Sequence, residues 1–183
     1  MQNYKSRFKI LIFGFEPFKN YDENISQKII NKIKEKEVIT VILPVVFEKK
    51  YILKAIEKYN PDIIIGLGQR KGGRILEVER KTKNVFQKNK NRGKINPLGP
   101  KEYLLNLKLK KRPQESKIDY HSGDYVCNFT RYVIMDFIKK KKLKTKFLFI
   151  HIPKNYNIQK GIKNLKEIIS QIKKQELGTW RSG

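Results

Sequence analysis

The chain has 183 residues, a formal net charge of +25 and a single cysteine, and these properties exclude several classes of protein. A chain of this length can bury one sizeable core, so we expect a single domain over residues 1–183. Its apolar runs fall short of the roughly 18 residues that cross a bilayer, and one cysteine cannot form an internal disulfide. We therefore expect neither a membrane-spanning nor a disulfide-stabilised protein, and we predict a cytoplasmic location.

The positive charge comes from 42 Lys and Arg residues set against 17 Asp and Glu residues. Most of the basic residues are Lys, whereas proteins that read bases commonly use the bidentate guanidinium of Arg. The Lys residues are scattered over nearly every segment, and no basic motif with interleaved aromatic residues stands out. The composition favours solvated basic faces with nonspecific attraction to polyanions, and a basic nucleic-acid-binding module is the less favoured alternative.

Strand and helix patterns alternate over the first part of the chain. Residues 1–9 are polar and lack the apolar core of a signal peptide. The predicted elements are a strand over residues 8–13, a helix over 25–33, a buried parallel strand over 38–46, a helix over 51–59 and a buried strand over 63–65 that ends in Gly66-Leu67-Gly68. This alternation predicts an α/β layer architecture.

The second part of the chain is less regular. Apolar and polar residues alternate over residues 104–109, which predicts an edge strand, and a polar loop follows over residues 112–117. The remaining predicted elements are an amphipathic helix over residues 125–138, a basic solvated loop over 139–146, a strand over 147–150 and a final helix over 158–172.

Chemistry-bearing residues cluster where strands are predicted to end. The segment Gly14-Phe15-Glu16-Pro17-Phe18 follows the first strand, Gln69 follows the Gly66-Leu67-Gly68 strand end, and His151 ends the strand before the last helix. Ligand and catalytic sites of open α/β sheets lie at the carboxyl ends of strands. One sheet edge is therefore predicted to bring these residues towards Cys127, at the start of the helix that follows residue 125.

A thiol at a helix N-terminus meets unpaired backbone N–H groups that favour its ionised form. Nucleophilic catalysis by Cys127 also needs a base and a group that orients this base. His151 ends an apolar strand and is a better-placed base than His121, which lies in a predicted loop. Glu77 and Glu79 are two residues apart, so a strand would place both side chains on the same face, and the pattern alone does not decide which of them orients the base.

Six motifs occur along the chain at characteristic separations: Gly14-Phe15-Glu16-Pro17-Phe18, Gly66-Leu67-Gly68 with Gly72, Glu79-Arg80 with Asn84, Gly99-Pro100 with Tyr103, Ser122-Gly123-Asp124-Tyr125-Val126-Cys127-Asn128, and Phe149-Ile150-His151-Ile152-Pro153. In this order they resemble the pyroglutamyl-peptidase I, or pyrrolidone-carboxylate peptidase, family of cysteine peptidases. The resemblance spans about residues 8 to 153, which is most of the chain. Individual motifs are short, and their combination is what makes the resemblance specific.

The resemblance implies that Cys127 is the nucleophile, His151 its base and Glu79 the orienting acid. Glu79 matches because it precedes Arg80, as the acid of the family precedes an arginine. The implied reaction removes an N-terminal pyroglutamyl residue from a peptide through an acyl-enzyme. The chemistry needs neither a metal nor an organic cofactor.

The resemblance also implies how substrate is held and how the chain is built. Phe15 and Phe18 correspond to rings that sandwich the pyrrolidone, and Gln69 falls where the family often has a pocket glutamine. A flat, neutral lactam suits such aromatic faces. The implied fold is a three-layer α/β/α sandwich with a mostly parallel twisted sheet, and the implied assembly is a homo-tetramer.

Two departures from the family pattern fall near the predicted site. The position of an arginine that contributes to the oxyanion environment is occupied by Asn89, with the flexible Lys88 and Lys90 beside it and Arg92 further on. A threonine is replaced by Asp124, whose carboxylate would either raise the pKa of the thiol or cap the helix. A diverged homologue with weak or lost activity is therefore the alternative to an active pyroglutamyl peptidase.

Overall fold

The computed structural model describes residues 8–18 and 21–179. Residues 1–7, 19–20 and 180–183 lie outside the described part. Most of the polar segment 1–9, for which we predict no signal-peptide core, is therefore not described. The single domain over residues 1–183 accordingly stays a prediction. Within the described ranges, no helix combines the length and the apolar character that a bilayer crossing requires.

A six-stranded sheet lies at the centre, with two small two-stranded sheets beside it. The strands of the described residues are β1 (Ile10–Phe15), β2 (Val38–Leu43), β3 (Ile63–Arg70), β4 (Leu76–Glu79), β5 (Lys81–Lys83), β6 (Phe86–Lys88), β7 (Asn91–Gly93), β8 (Glu102–Leu104), β9 (Ser116–Asp119) and β10 (Lys146–Pro153). The order in the central sheet is β2-β1-β3-β10-β4-β9. Strands β2, β1, β3 and β10 are parallel, whereas β4 runs antiparallel to β10 and β9 is parallel to β4.

Helices cover both faces of this sheet. They are α1 (Ile25–Ile30), α2 (Lys49–Tyr59), α3 (Val126–Lys140) and α4 (Ile158–Thr179). Helices α1 and α4 pack together over one buried cluster, and α2 and α3 pack together over the other. The apolar strands β1, β3 and β10 contribute side chains to both clusters because alternate residues point to opposite faces. The predicted three-layer α/β/α sandwich with a mostly parallel sheet is confirmed.

Three predicted elements differ from the structure in type or in their position in the sheet, and other predicted bounds differ by a few residues: the helix predicted over residues 25–33 ends at Ile30, and the loop predicted over 139–146 includes the end of α3 and the first residue of β10. The strand predicted as buried over residues 38–46 is the edge strand β2, half-exposed along most of its length, because an apolar run does not distinguish a central from an edge position. Residues 105–109 form no strand. Leu105 and Leu107 are buried while the residues beside them are exposed, so an irregular segment shows the alternation of apolar and polar residues that is typical of an edge strand. The loop predicted over residues 112–117 contains the start of β9.

The strands that carry the candidate site extend further than their apolar cores suggest. β3 continues through Gly66 and Gly68 to Arg70, and β10 continues through His151 to Pro153. In the parallel register of these two strands, Gly68 lies opposite His151. The longer strands place the imidazole within the rigid sheet rather than in a loop after it.

Candidate active site

His151 is held by the carboxylate of Glu79 across two antiparallel strands. In the β4–β10 register, Glu79 lies opposite Phe149 and Glu77 lies opposite His151, so both carboxylates reach the same sheet face as the imidazole. His151 Nδ1 and Glu79 Oε1 are 2.6 Å apart, and the Glu79 side chain is 1% exposed. This short bond between a ring nitrogen and a buried carboxylate fixes the orientation of the imidazole.

Glu77 has different partners. Its carboxylate forms ion pairs with Arg70 and, at 2.9 Å, with Lys117. The strand pattern leaves Glu77 and Glu79 open as orienting acids, and in the structure it is Glu79 that bonds the imidazole while Glu77 bonds two cations.

Cys127 is the second residue of α3, and its side chain is partly buried against the sheet face that carries His151. A Cβ atom built at Gly68 would lie 3.0 Å from Cys127 Sγ and 2.9 Å from His151 Cδ2. The thiol and the imidazole thus meet above the same glycine. With Nδ1 bonded to Glu79, the other ring nitrogen of His151 is left for the thiol.

The pKa of His151 reflects this environment. Burial disfavours the charged imidazole, but hydrogen bonds with Cys127 and Glu79 and the charge of Cys127 outweigh burial. The net effect raises the pKa of His151 above its ordinary value, so the site favours a protonated imidazole beside the thiol.

The family model for pyroglutamyl peptidase matches residues 8–166 of the chain. The chain belongs to the pyroglutamyl peptidase family. It is 34% identical over 170 residues to the pyrrolidone-carboxylate peptidase of Thermosipho melanesiensis, covering 81% of this chain and 84% of the relative. The corresponding protein of Brachyspira hyodysenteriae is 32% identical over 166 residues, covering 79% of this chain and 83% of the relative.

Solved structures agree with the sequence relatives. The fold is similar to the crystal structure of pyroglutamyl peptidase I from Bacillus amyloliquefaciens, with a TM-score of 0.82 and 25% identity over 88% of this chain and 92% of that chain. A pyrrolidone carboxyl peptidase structure from Thermococcus litoralis gives a TM-score of 0.80 at 21% identity, covering 94% and 96% of the two chains. The family predicted from the motifs is confirmed, and it is a family of cysteine-type hydrolases.

The residues predicted from the pyroglutamyl peptidase family to hold substrate lie in different surroundings. Phe15 is 3% exposed and packs edge-to-face on Phe13, with ring centres 5.8 Å apart. Phe18 is half-buried and contacts Tyr125, the residue before α3, at 6.4 Å between ring centres. Phe18 therefore lies beside the start of the helix that carries the thiol, whereas Phe15 belongs to the apolar core beneath it.

Gln69 directly follows Gly68 on β3. Its Oε1 accepts a hydrogen bond of 2.9 Å from the backbone N–H of Ile25, the first residue of α1. Gln69 therefore ties the end of β3 to a helix start, where backbone donors lack partners within the helix.

The region that departs from the pyroglutamyl peptidase pattern forms an exposed hairpin of β6 and β7. Asn89 lies at its tip with a φ of 55°, and Lys88, Lys90 and Arg92 are exposed around it. The hairpin reaches the site region through its backbone, where Gln87 N donates to the carbonyl oxygen of Asp124 at 2.7 Å. A solvated tip of this kind does not hold a cation in one fixed position.

Asp124 is not the cap of the helix that carries the thiol. The N-cap position of α3 belongs to Tyr125, and no side chain makes a capping hydrogen bond there. The capping role predicted as one alternative for Asp124 is therefore wrong. The other candidate base, His121, is exposed.

Arg131 is a charged residue of the site that the sequence analysis missed. It lies one helical turn after Cys127, is 0% exposed, and its Nη1 is 2.5 Å from Glu79 Oε2. The sequence contains one indication of this residue: Arg131 is the one charged residue in the otherwise uncharged segment 125–135. A cation on the apolar face of a helix requires a buried counter-charge.

Ligand atoms of Glu77, Glu79 and His151 lie within 4.8 Å of one another, a spacing that a metal ion could bridge. These atoms already have protein partners, because Arg70 and Lys117 neutralise Glu77 and Arg131 neutralises Glu79. The donor set therefore fits a hydrogen-bonded charge cluster better than a site for a divalent cation.

Proposed function

We propose that this protein is an active pyroglutamyl peptidase that uses Cys127 as nucleophile, His151 as general base and acid, and Glu79 as the orienting acid. The observation that carries the proposal is that Cys127 Sγ and the His151 ring converge above Gly68 while the imidazole bonds the buried Glu79 carboxylate at 2.6 Å. This arrangement supplies the base and the orienting group that a cysteine nucleophile needs.

In the proposed reaction, the Cys127 thiolate attacks the carbonyl carbon that joins the pyroglutamyl residue to the peptide. A C–S bond forms, and the carbonyl electrons move to oxygen. When the intermediate collapses, the C–N bond breaks and His151 gives its proton to the leaving amine. His151 then takes a proton from water, whose oxygen attacks the thioester carbon. The C–S bond breaks, free pyroglutamate leaves, and the Cys127 thiolate is regenerated beside the protonated imidazole.

Backbone N–H groups at the start of α3 are suited to stabilise the oxyanion. The first hydrogen bond within this helix runs from Phe129 N to Tyr125 O at 3.0 Å, so the N–H groups of Val126, Cys127 and Asn128 precede the helical ladder. We propose the N–H of Cys127 as a donor, because fixed donors in a site of this kind need no reorganisation during the reaction.

We propose that the lactam ring binds next to Phe18, above the apolar surface that Phe15 supports, with Gln69 at the edge of the pocket. The half-buried ring of Phe18 beside Tyr125 supports a stacking role. In Phe18→Ala, KM for a pyroglutamyl amide is expected to rise more than kcat falls. An unchanged KM would contradict this placement.

A fluorogenic pyroglutamyl amide tests the function directly. The wild type is expected to hydrolyse it, and Cys127→Ala and His151→Ala are each expected to lower kcat/KM by at least about a thousandfold. His121→Ala, which changes the exposed imidazole, serves as the matched control. No turnover by a folded wild type would favour the diverged homologue, and turnover by Cys127→Ala would overturn the mechanism.

We further propose a homo-tetramer acting in the cytoplasm as a single domain on peptides with N-terminal pyroglutamate. Family membership supports the assembly, and the need to keep Cys127 reduced supports the compartment. Sedimentation equilibrium and cell fractionation are the measurements. A monomer at micromolar concentration, or recovery of the protein outside the cytoplasm, would contradict the respective proposal.

A further inference from the structure

Arg131 lies beneath the candidate triad with its charge fully withdrawn from solvent. Its Nη1 faces Glu79 Oε2 at 2.5 Å, and its Nη2 donates to the carbonyl oxygen of Ser122 at 2.6 Å. The guanidinium also lies over the Phe149 ring, 5.0 Å from its centre, and Phe149 contacts the His151 ring edge-to-face at 5.1 Å. The guanidinium is thus fixed from three sides.

The burial of Arg131 has an electrostatic reason. An arginine does not lose its proton in a protein, and an isolated buried charge is strongly unfavourable. Its counter-charge is the carboxylate of Glu79, which is itself 1% exposed, so the two buried charges balance each other. The two carboxylate oxygens of Glu79 have different partners: Oε1 bonds His151, and Oε2 faces Arg131.

We propose that Arg131 is a positioning residue for the reaction. It holds the Glu79 carboxylate in place and offsets part of its negative charge, so that the protonated His151 transfers its proton to the leaving amine more readily. This inference rests on the proposed function of Cys127, His151 and Glu79. Without Arg131, the whole charge of Glu79 would stabilise the imidazolium, and the pair would retain its shared proton to higher pH.

The charges around His151 agree with this role. Burial lowers the pKa of His151, the bonds with Cys127 and Glu79 raise it, and the charge of Arg131 lowers it. Among the described residues, the charged and titratable groups close to the imidazole are Cys127 and Arg131 from α3 and Glu77 and Glu79 from β4. Arg70 and Lys117 pair with Glu77, and Asp119 lies opposite Glu79 in the β4–β9 register.

The experiment compares Arg131→Met and Arg131→Lys in the full chain, with the exposed Arg112→Met as a control that removes the same charge elsewhere. A His121→Asn background leaves one imidazole, whose titration is followed by NMR. Arg131→Met is expected to move the His151 midpoint upward by about one pH unit and to lower kcat about tenfold with little change in KM. Arg131→Lys is expected to return the midpoint towards the wild-type value.

An unchanged midpoint in Arg131→Met, or an equal rise in Arg131→Lys and Arg131→Met, would overturn the proposal. If Arg131→Met does not fold because it leaves the Glu79 charge buried alone, the double variant Arg131→Met/Glu79→Gln, which removes both charges, is expected to fold; a double variant that also fails to fold would overturn the proposal. The titration needs no turnover, so an inactive wild type would refute the proposed function without deciding the role of Arg131.

Discussion

At Gly68 the backbone of β3 passes directly beneath the thiol and the imidazole. A Cβ atom there would approach Phe149 Cζ to 2.8 Å as well as the two reacting side chains, which is closer than ordinary van der Waals contact. Glycine is therefore required for close approach rather than for an unusual backbone angle. The residue lets the nucleophile and its base share one position above the sheet.

Gly68→Ala is expected to lower kcat/KM by about a hundredfold, because displacement of reacting groups by about 1 Å has an effect of this size. Gly72→Ala is the matched control, since a Cβ atom there would meet no atom within 4 Å. Kinetics on a pyroglutamyl amide give the comparison. Equal activity of the two variants would show that the thiol and the imidazole do not depend on the space at Gly68.

The raised pKa of His151 predicts a pH dependence of stability. The folded state binds the proton more tightly than the unfolded chain, whose histidine pKa is about 6.5. The stabilisation is therefore complete below about pH 6.5 and is lost as pH rises through the folded-state pKa. Urea unfolding of wild type and His151→Gln is expected to show a larger difference in free energy at pH 6 than at pH 9. A difference that grows with pH would contradict the assignment.

At the residue level, the sequence indicated the thiol, two possible bases and two possible acids. The contacts that separate Glu79 from Glu77 depend on cations contributed by β3, β9 and α3, which local periodicity does not bring together. The role of Arg131 was not predicted, because helical spacing shows which residues share a face of the helix but not which groups pack against that face.

Among the elements, α3 is the one whose position decides the geometry of the thiol. Asn128, directly after Cys127, is 1% exposed, and its side chain makes four hydrogen bonds. Its Oδ1 accepts from Thr82 Oγ1 and Lys83 N, and its Nδ2 donates to the carbonyl oxygens of Lys83 and Val85. The start of the helix is thereby fastened to β5 and to the segment that follows it.

Asn128→Ala is expected to lower the free energy of unfolding by about 3 kcal/mol, because several buried polar groups lose their partner at once. The exposed Asn155→Ala is the control and is expected to change stability by no more than about 0.5 kcal/mol. Chemical denaturation measures both. A loss of stability below about 1 kcal/mol in Asn128→Ala would show that these bonds do not hold the helix start.

Element types were predicted well where long apolar periodicity exists, as in α2, α3 and the central strands. Boundaries and positions were predicted less well, for physical reasons. β3 and β10 continue through glycines and a histidine because neighbouring strands supply backbone partners, and β2 has the composition of a central strand at the edge of the sheet. Pairing between distant segments decides these features.

For the whole molecule, a net charge of +25 implies strong self-repulsion and attraction to polyanions. We expect the protein to bind duplex DNA of any sequence at low salt and to lose at least tenfold in affinity between about 50 and 200 mM NaCl. Fluorescence anisotropy with two unrelated duplexes measures this. Sequence-dependent affinity that survives at about 0.2 M salt would favour a nucleic-acid-binding role instead.

The last strand of the described chain, β10, lies in the middle of the sheet, between β3 and β4. During synthesis, β3 and β4 leave the ribosome well before the strand that comes to separate them, and His151 follows Glu79 by 72 residues. Non-local pairing of this kind forms late. The nascent chain therefore carries Cys127 before His151 is in place, and the thiol and the imidazole meet only when β10 inserts between β3 and β4.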